Sequence, residues 1–91
     1  MEAKIITVEG IETVVTPKNG THFELKELQD IVGGWIEAVY FDAENVMIVN
    51  EEGKLMGLPF NLKATQLFRI ETKLADFIVG NVLITPRKFM K

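Results

Sequence analysis

The polar residues of greatest chemical interest lie in one short stretch, Asn50-Glu51-Glu52-Gly53-Lys54, followed by Gly57, Pro59, Asn61 and Thr65. Lys54 offers an ammonium next to a glycine turn, from which a side chain can project to meet a phosphate or carboxylate. Asn61 and Thr65 are four apart, so at a helix start they share one face beside backbone N–H groups that have no intrahelical partner. Such a helix start attracts anions. Trp35 and Tyr40 add flat rings on which a base can stack. The candidate ligand-binding residues are therefore Trp35, Tyr40, Asn50, Lys54, Asn61 and Thr65, and the expected ligand is small and anionic or nucleotide-like. Each has a plainer structural alternative: Asn50 and Gly53 as turn residues, Gly57 and Pro59 as loop geometry, Asn61 as a helix cap, Trp35 as a core aromatic. Those alternatives leave only Lys54 and Thr65 unexplained.

Catalytic chemistry has little to work with. A serine or cysteine nucleophile needs a base in reach, and the chain has one histidine, His22, no serine and no cysteine. The threonines at 7, 13, 16, 72 and 85 fall in expected strands or connectors, where β-propensity accounts for them. Glu51 and Glu52 are adjacent in an expected turn, so their carboxylates diverge rather than share a proton. Asp42-Ala43-Glu44-Asn45 begins like a calcium loop but lacks the glycine and the bidentate glutamate that such a loop requires. No enzyme activity, cofactor or metal is expected.

With 91 residues, the chain has room for one domain and one core, and 47% hydrophobic with 25% charged residues is the composition of a globular protein. The formal charge of −3 argues against general nucleic-acid binding, because phosphate backbones are held by clustered cations. Arg87, Lys88 and Lys91 are the nearest approach to a cluster, and they read as a solvated C-terminal tail. The absence of cysteine, of a signal-like N-terminus and of a long apolar run leads to the expectation of a cytoplasmic protein away from membranes.

The elements that must position the candidate residues follow from periodicity. Ala3 to Val8 and Ile11 to Thr16 are β-branched runs on either side of Glu9-Gly10, as in a hairpin. Apolar residues at 25, 28, 31 and 32 mark one face of an amphipathic helix. Its cap is either Thr21 with Glu24 or Glu24 with Glu27, Phe23 packs as the hydrophobic staple, and Gly33 is the left-handed residue that ends it. Trp35 to Phe41 is mostly apolar on both faces and is expected as a central strand. Val46 to Val49 is expected as a strand, a turn with Gly53 in the left-handed position follows, and Lys54-Leu55-Met56 is expected to run back as a strand. A second helix runs from Asn61 to about Phe68 with Leu62, Gln66 and Leu67 inward, then a polar connector. Asp76 to Thr85 is expected as the last strand, where Gly80 marks a bulge or a close backbone approach. The result is an α+β fold, a mainly antiparallel sheet with both helices on one face, in the order β-β-α-β-β-β-α-β.

Val32-Gly33-Gly34-Trp35-Ile36-Glu37, the Asn50-Glu51-Glu52-Gly53-Lys54-Leu55 box with Gly57-Leu58-Pro59-Phe60-Asn61 and Ala64-Thr65, and Ile78-Val79-Gly80-Asn81-Val82 occur in that order. This pattern resembles a small domain-of-unknown-function family, DUF3846, of phages, plasmids and Gram-positive bacteria. The resemblance runs from the first helix to the last strand. It favours an aromatic residue at Trp35 and Ser or Thr at the helix cap, where this chain has Glu24. It implies a phage or mobile-element setting rather than a reaction. Two functions fit: a binding protein without turnover that sequesters a nucleotide-like defence signal, or a module that docks a strand edge or the acidic first helix onto a host protein; a homo-oligomer is compatible with either.

Overall fold

The computed structural model describes residues 2–90. Strands β1 (Ala3–Ile6) and β2 (Glu12–Val15) precede helix α1 (Leu25–Val32). Strands β3 (Ile36–Tyr40) and β4 (Asn45–Asn50), helix α2 (Leu62–Thr72), strand β5 (Val82–Pro86) and a 3-10 turn (Arg87–Phe89) follow. The class is α+β, and every strand pair in the five-stranded sheet is antiparallel. The spatial order is β2-β1-β5-β4-β3, which puts the last strand in the middle.

The β5 insertion explains the largest departure from expectation. β4 has β5 on one side and β3 on the other, so Lys54-Leu55-Met56 has no free edge of β4 to pair with. Residues 51–57 instead form successive turns, held by Met56 N–H to Glu52 O (2.9 Å) and Gly57 N–H to Lys54 O (3.2 Å). Gly57, not Gly53, carries the positive φ in this segment. Gly53 is needed for space, because a Cβ there would lie 2.9 Å from Val79 Cγ2 and 3.3 Å from the Asn50 carbonyl oxygen.

The helices lie on opposite faces of the sheet rather than on one. Successive side chains of a strand point to opposite faces. Val46 and Ile48 of β4 and Leu83 of β5 pack with Phe23, Leu28 and Val32 at α1. The intervening Met47 and Val49, with Val82 and Ile84, pack with Ala64 and Phe68 of α2. β4 and β5 are consequently buried at every position, as strands covered on both sides must be. The all-apolar run at 46–49 carried that signal.

α1 begins and ends as its sequence dictates. Glu24 is the N-cap and its N–H donates to Glu27 Oε2 at 2.8 Å, while Glu27 Oε1 accepts from Lys18 N–H at 3.0 Å and ties the preceding loop to the helix start. Phe23 is buried against Leu28, the staple pair. Gly33 ends the helix at φ 83°. Nothing lies within 4 Å of a Cβ built there, so a substitution acts through backbone strain alone. Gly33→Val should therefore lower the unfolding free energy by about 1–3 kcal/mol. An unchanged urea midpoint would reject that role for Gly33.

β2 is fastened at the sheet's edge by charge. Glu12 lies 2.7 Å from Lys4 Nζ on β1 and 2.7 Å from Lys63 Nζ on α2. Hydrogen bonds from Lys4 first and Lys63 second hold its carboxyl down at about 2, against an ordinary 4.5. A carboxyl depressed in the folded state stabilises above its ordinary value, and that contribution is lost as pH falls through the lower one. Stability should thus decline between pH 4.5 and 2, and the decline should be shallower in Glu12→Gln, measured by urea unfolding across that window. Parallel curves for the two proteins would show that the two ion pairs add nothing.

Candidate functional site

The second helix is set by Asn61, whose side chain accepts from Ala64 N–H at 3.0 Å as the N-cap. The Asn61 amide nitrogen donates to Ile6 O (3.1 Å) and Gly80 O (2.8 Å), and the residue is wholly buried. Thr65, one turn on, accepts from Ile78 N–H at 2.9 Å and donates to Ile78 O at 3.3 Å. Both candidates thus spend their polar atoms on the protein's own backbone, joining α2 to β1 and to the segment before β5. This anchoring turns Ala64, Thr65 and Phe68 inward, so that Leu62 and Gln66 face outward and Leu67 is only half-buried. The helix also continues to Thr72, through part of the expected connector.

Asn50 has an equally structural environment. Its amide nitrogen donates to Val32 O at the end of α1 (3.2 Å), and its oxygen accepts from Glu52 N–H (2.8 Å). Gly34 permits this approach, since a Cβ there would sit 3.0 Å from the Asn50 amide nitrogen.

The aromatic candidates are neither core nor central. β3 is an edge strand, and Trp35 and Tyr40 are each 63% exposed at its two ends. The Arg87 guanidinium lies over the Tyr40 ring at 4.6 Å. Glu37, a charge in an otherwise apolar strand, is the feature of the sequence that marks this edge.

Lys54 is the one candidate with a charged head group, and it opens onto a cleft of about 310 Å³ on the α2 face. β3 supplies Glu37 and Val39 to this cleft, β4 supplies Val49 and Asn50, and Phe68 comes from α2. The turn contributes Glu51, Lys54 and Leu55, and residues 76–79 close the far wall. Lys54 Nζ reaches Asp76 Oδ1 at 2.6 Å and stands 4.3 Å from the centre of the Phe77 ring. The ammonium first, and then the Phe77 N–H, holds the Asp76 carboxyl below the usual aspartate range. Arg69 of α2 fixes this wall by donating to Ala75 O (2.9 Å) and Asp76 O (3.1 Å).

The structure thus brings Asn50 and Lys54 together in the cleft and leaves Trp35, Tyr40, Asn61 and Thr65 outside its lining. Glu37, Asp76 and Phe77 line it without having been singled out from the sequence. Asp76 and Phe77 are separated from Lys54 by more than twenty residues, and no local pattern joins them. Among the described residues no group of three or more His, Cys, Asp or Glu is placed to hold a metal ion, and no helix is long and apolar enough to cross a membrane.

The family described as "Domain of unknown function (DUF3846)" matches residues 2–88. The chain belongs to the DUF3846 family. No curated protein and no solved structure matches it. The match includes β1 and β2 as well as the cleft, so the hairpin belongs to the DUF3846 unit along with the central segments that first suggested it.

Proposed function

We propose that this chain is a binding protein without turnover, holding a small amphipathic ligand in the cleft between β3, the 51–55 turn and residues 76–79. The cleft's volume stands at the small end of the range for ligand sites, and its apolar floor with a few polar groups at the rim is the usual composition of such sites. The absence of serine and cysteine, and the position of His22 outside the cleft, fit a role that is stoichiometric.

The single observation that carries the choice of ligand is the charge of the rim. Glu37, Glu51 and Asp76 face one cation, Lys54, which is already paired with Asp76. A phosphate would meet uncompensated carboxylates, whereas a cationic head can replace Lys54 at Asp76 while an apolar body lies against Phe77 and Leu55. The ligand class is therefore a cationic or neutral amphipathic molecule, with the nucleotide-like signal of a mobile-element setting as the competing reading.

Thermal melting with two panels decides between them, since a ligand that binds only the folded state raises the melting temperature. Aromatic amines and polyamines should raise it, and mononucleotides and cyclic dinucleotides should not. Asp76→Asn should weaken a cationic ligand by roughly 1.5–3 kcal/mol, the worth of a hydrogen bond to a charged group. Lys54→Ala should leave it unweakened, and should change stability by less than about 0.5 kcal/mol because the Lys54–Asp76 pair is solvent-exposed. Binding of a nucleotide that is lost in Lys54→Ala would overturn the assignment.

A second reading, a module that docks another protein, is favoured by the exposure of Trp35 and Tyr40 beside an unpaired strand edge.

A further inference from the structure

We infer that the β3 edge docks a second copy of this chain about a two-fold axis through Ala38, joining two five-stranded sheets into one. The inference does not rest on the ligand proposed for the cleft.

The backbone sets the register. Trp35 O accepts from Glu51 N–H at 2.8 Å, and Ile36 stands opposite Asn50 in the β3–β4 pairing. In an antiparallel pair the residues that bond to the neighbour alternate with those that do not. The odd-numbered residues of β3 therefore bond to β4, and Ile36, Ala38 and Tyr40 aim their N–H and C=O groups at the open side. A two-fold axis at Ala38 places Ala38 opposite itself and Ile36 opposite Tyr40 of the second copy. All three outward residues then meet outward residues, the parity that an antiparallel ladder requires.

The side chains suit the same register. The smallest side chain of the strand lies on the axis. Tyr40 against Ile36 is an aromatic and β-branched pair, a favourable cross-strand combination. On the other face Glu37 stands opposite Val39, so the two Glu37 carboxylates do not oppose each other directly. Pairing would cover part of the exposed surface of Tyr40, and because Glu37 and Val39 line the cleft, the second copy would extend that wall.

The two sheet edges differ in how they are protected. β2 carries Glu12 in its double ion pair and is followed by Pro17 and Lys18, features that discourage strand addition. β3 has no proline, lysine or bulge, its single charge Glu37 is in no ion pair among the described residues, and all five of its residues pair in unbroken register with β4.

The test is mass and amide exchange on the full chain. Light scattering should give twice the 10.3 kDa of the single chain, and the N–H groups of Ile36, Ala38 and Tyr40 should exchange slowly. Ala38→Lys puts two like charges on the axis and should raise the dissociation constant at least about tenfold, with the melting curve of a folded protein retained. Should that variant fail to fold, Ala38→Pro serves, because the N–H it removes faces the open side and is not used in the β3–β4 ladder. Val14→Lys on β2 should leave the dimer intact. A monomer at every concentration, fast exchange at those three amides, or a dimer broken by Val14→Lys and not by Ala38→Lys would each overturn the inference.

Discussion

Replacing Asn61 by Ala is expected to lower the unfolding free energy by about 3–5 kcal/mol, a large share of what a domain of this size holds. Three hydrogen bonds disappear together. The N-cap of α2, Asn61 Oδ1 to Ala64 N–H, is worth about 1 kcal/mol. The carbonyls of Ile6 and Gly80 lose the amide that satisfies them, and a buried group left unpaired costs about 1–3 kcal/mol. Because Asn61 is wholly buried, water has no ready access to replace its bonds. Urea unfolding at neutral pH measures the loss. A decrease below about 1 kcal/mol would mean that the three bonds do not act as the junction of β1, α2 and the segment before β5.

Gly80→Val attacks the same junction from the other side and should cost about 2–4 kcal/mol. Gly80 has φ 76°, where a β-branched residue is strained by about 1–3 kcal/mol. Its added Cβ would also meet Leu58 Cδ1 at 2.9 Å, so Leu58 must shift. Either movement displaces the Gly80 carbonyl from Asn61. For a domain of this length each kcal/mol moves the melting temperature by roughly 4–8 °C, so a drop of about 10 °C or more is the expected reading. Gly80→Ala, with a smaller side chain and less strain, should fall between the two. Equal melting temperatures for all three proteins would show that the close approach to Leu58 carries no energy.

Local features were legible in the sequence wherever the deciding interaction is itself local. The inward face of Leu28, Ile31 and Val32, the Glu24–Glu27 cap and the Gly33 terminus all reappear in α1, although Leu25, expected on that face, is exposed, and Asn61 is the cap it was expected to be. Gly80 is needed for its positive φ and for space beside the Leu58 side chain, but it precedes β5 rather than interrupting a strand. The departures trace to partners distant in the chain. Nothing near residue 54 announces that β5 will occupy the free side of β4, so the segment 54–56 looked like a strand. Asn61 looked like a cap beside an accessible helix start, and only the contact with Ile6, 55 positions away, shows that its amide is already engaged. Trp35 is apolar enough for a core, yet it lies at the end of an edge strand. The cleft is half visible in the sequence: Asn50 and Lys54 share one local polar box, while Glu37, Asp76 and Phe77 reach it through the sheet order and a tertiary turn.

The central position of β5 also governs the timing of assembly. Until Val82–Pro86 has been synthesised, β1 and β4 lack the strand that joins them, and the chain can hold only two separate hairpins, β1–β2 and β3–β4. Both hairpins would meanwhile expose apolar faces and open edges, a state prone to misassociation. Closing the sheet brings Ile6 beside Val82, a long loop whose entropy must be lost before the contact is rewarded. Folding should accordingly be late and cooperative, with the two halves of the sheet becoming one only when their last strand slides between them.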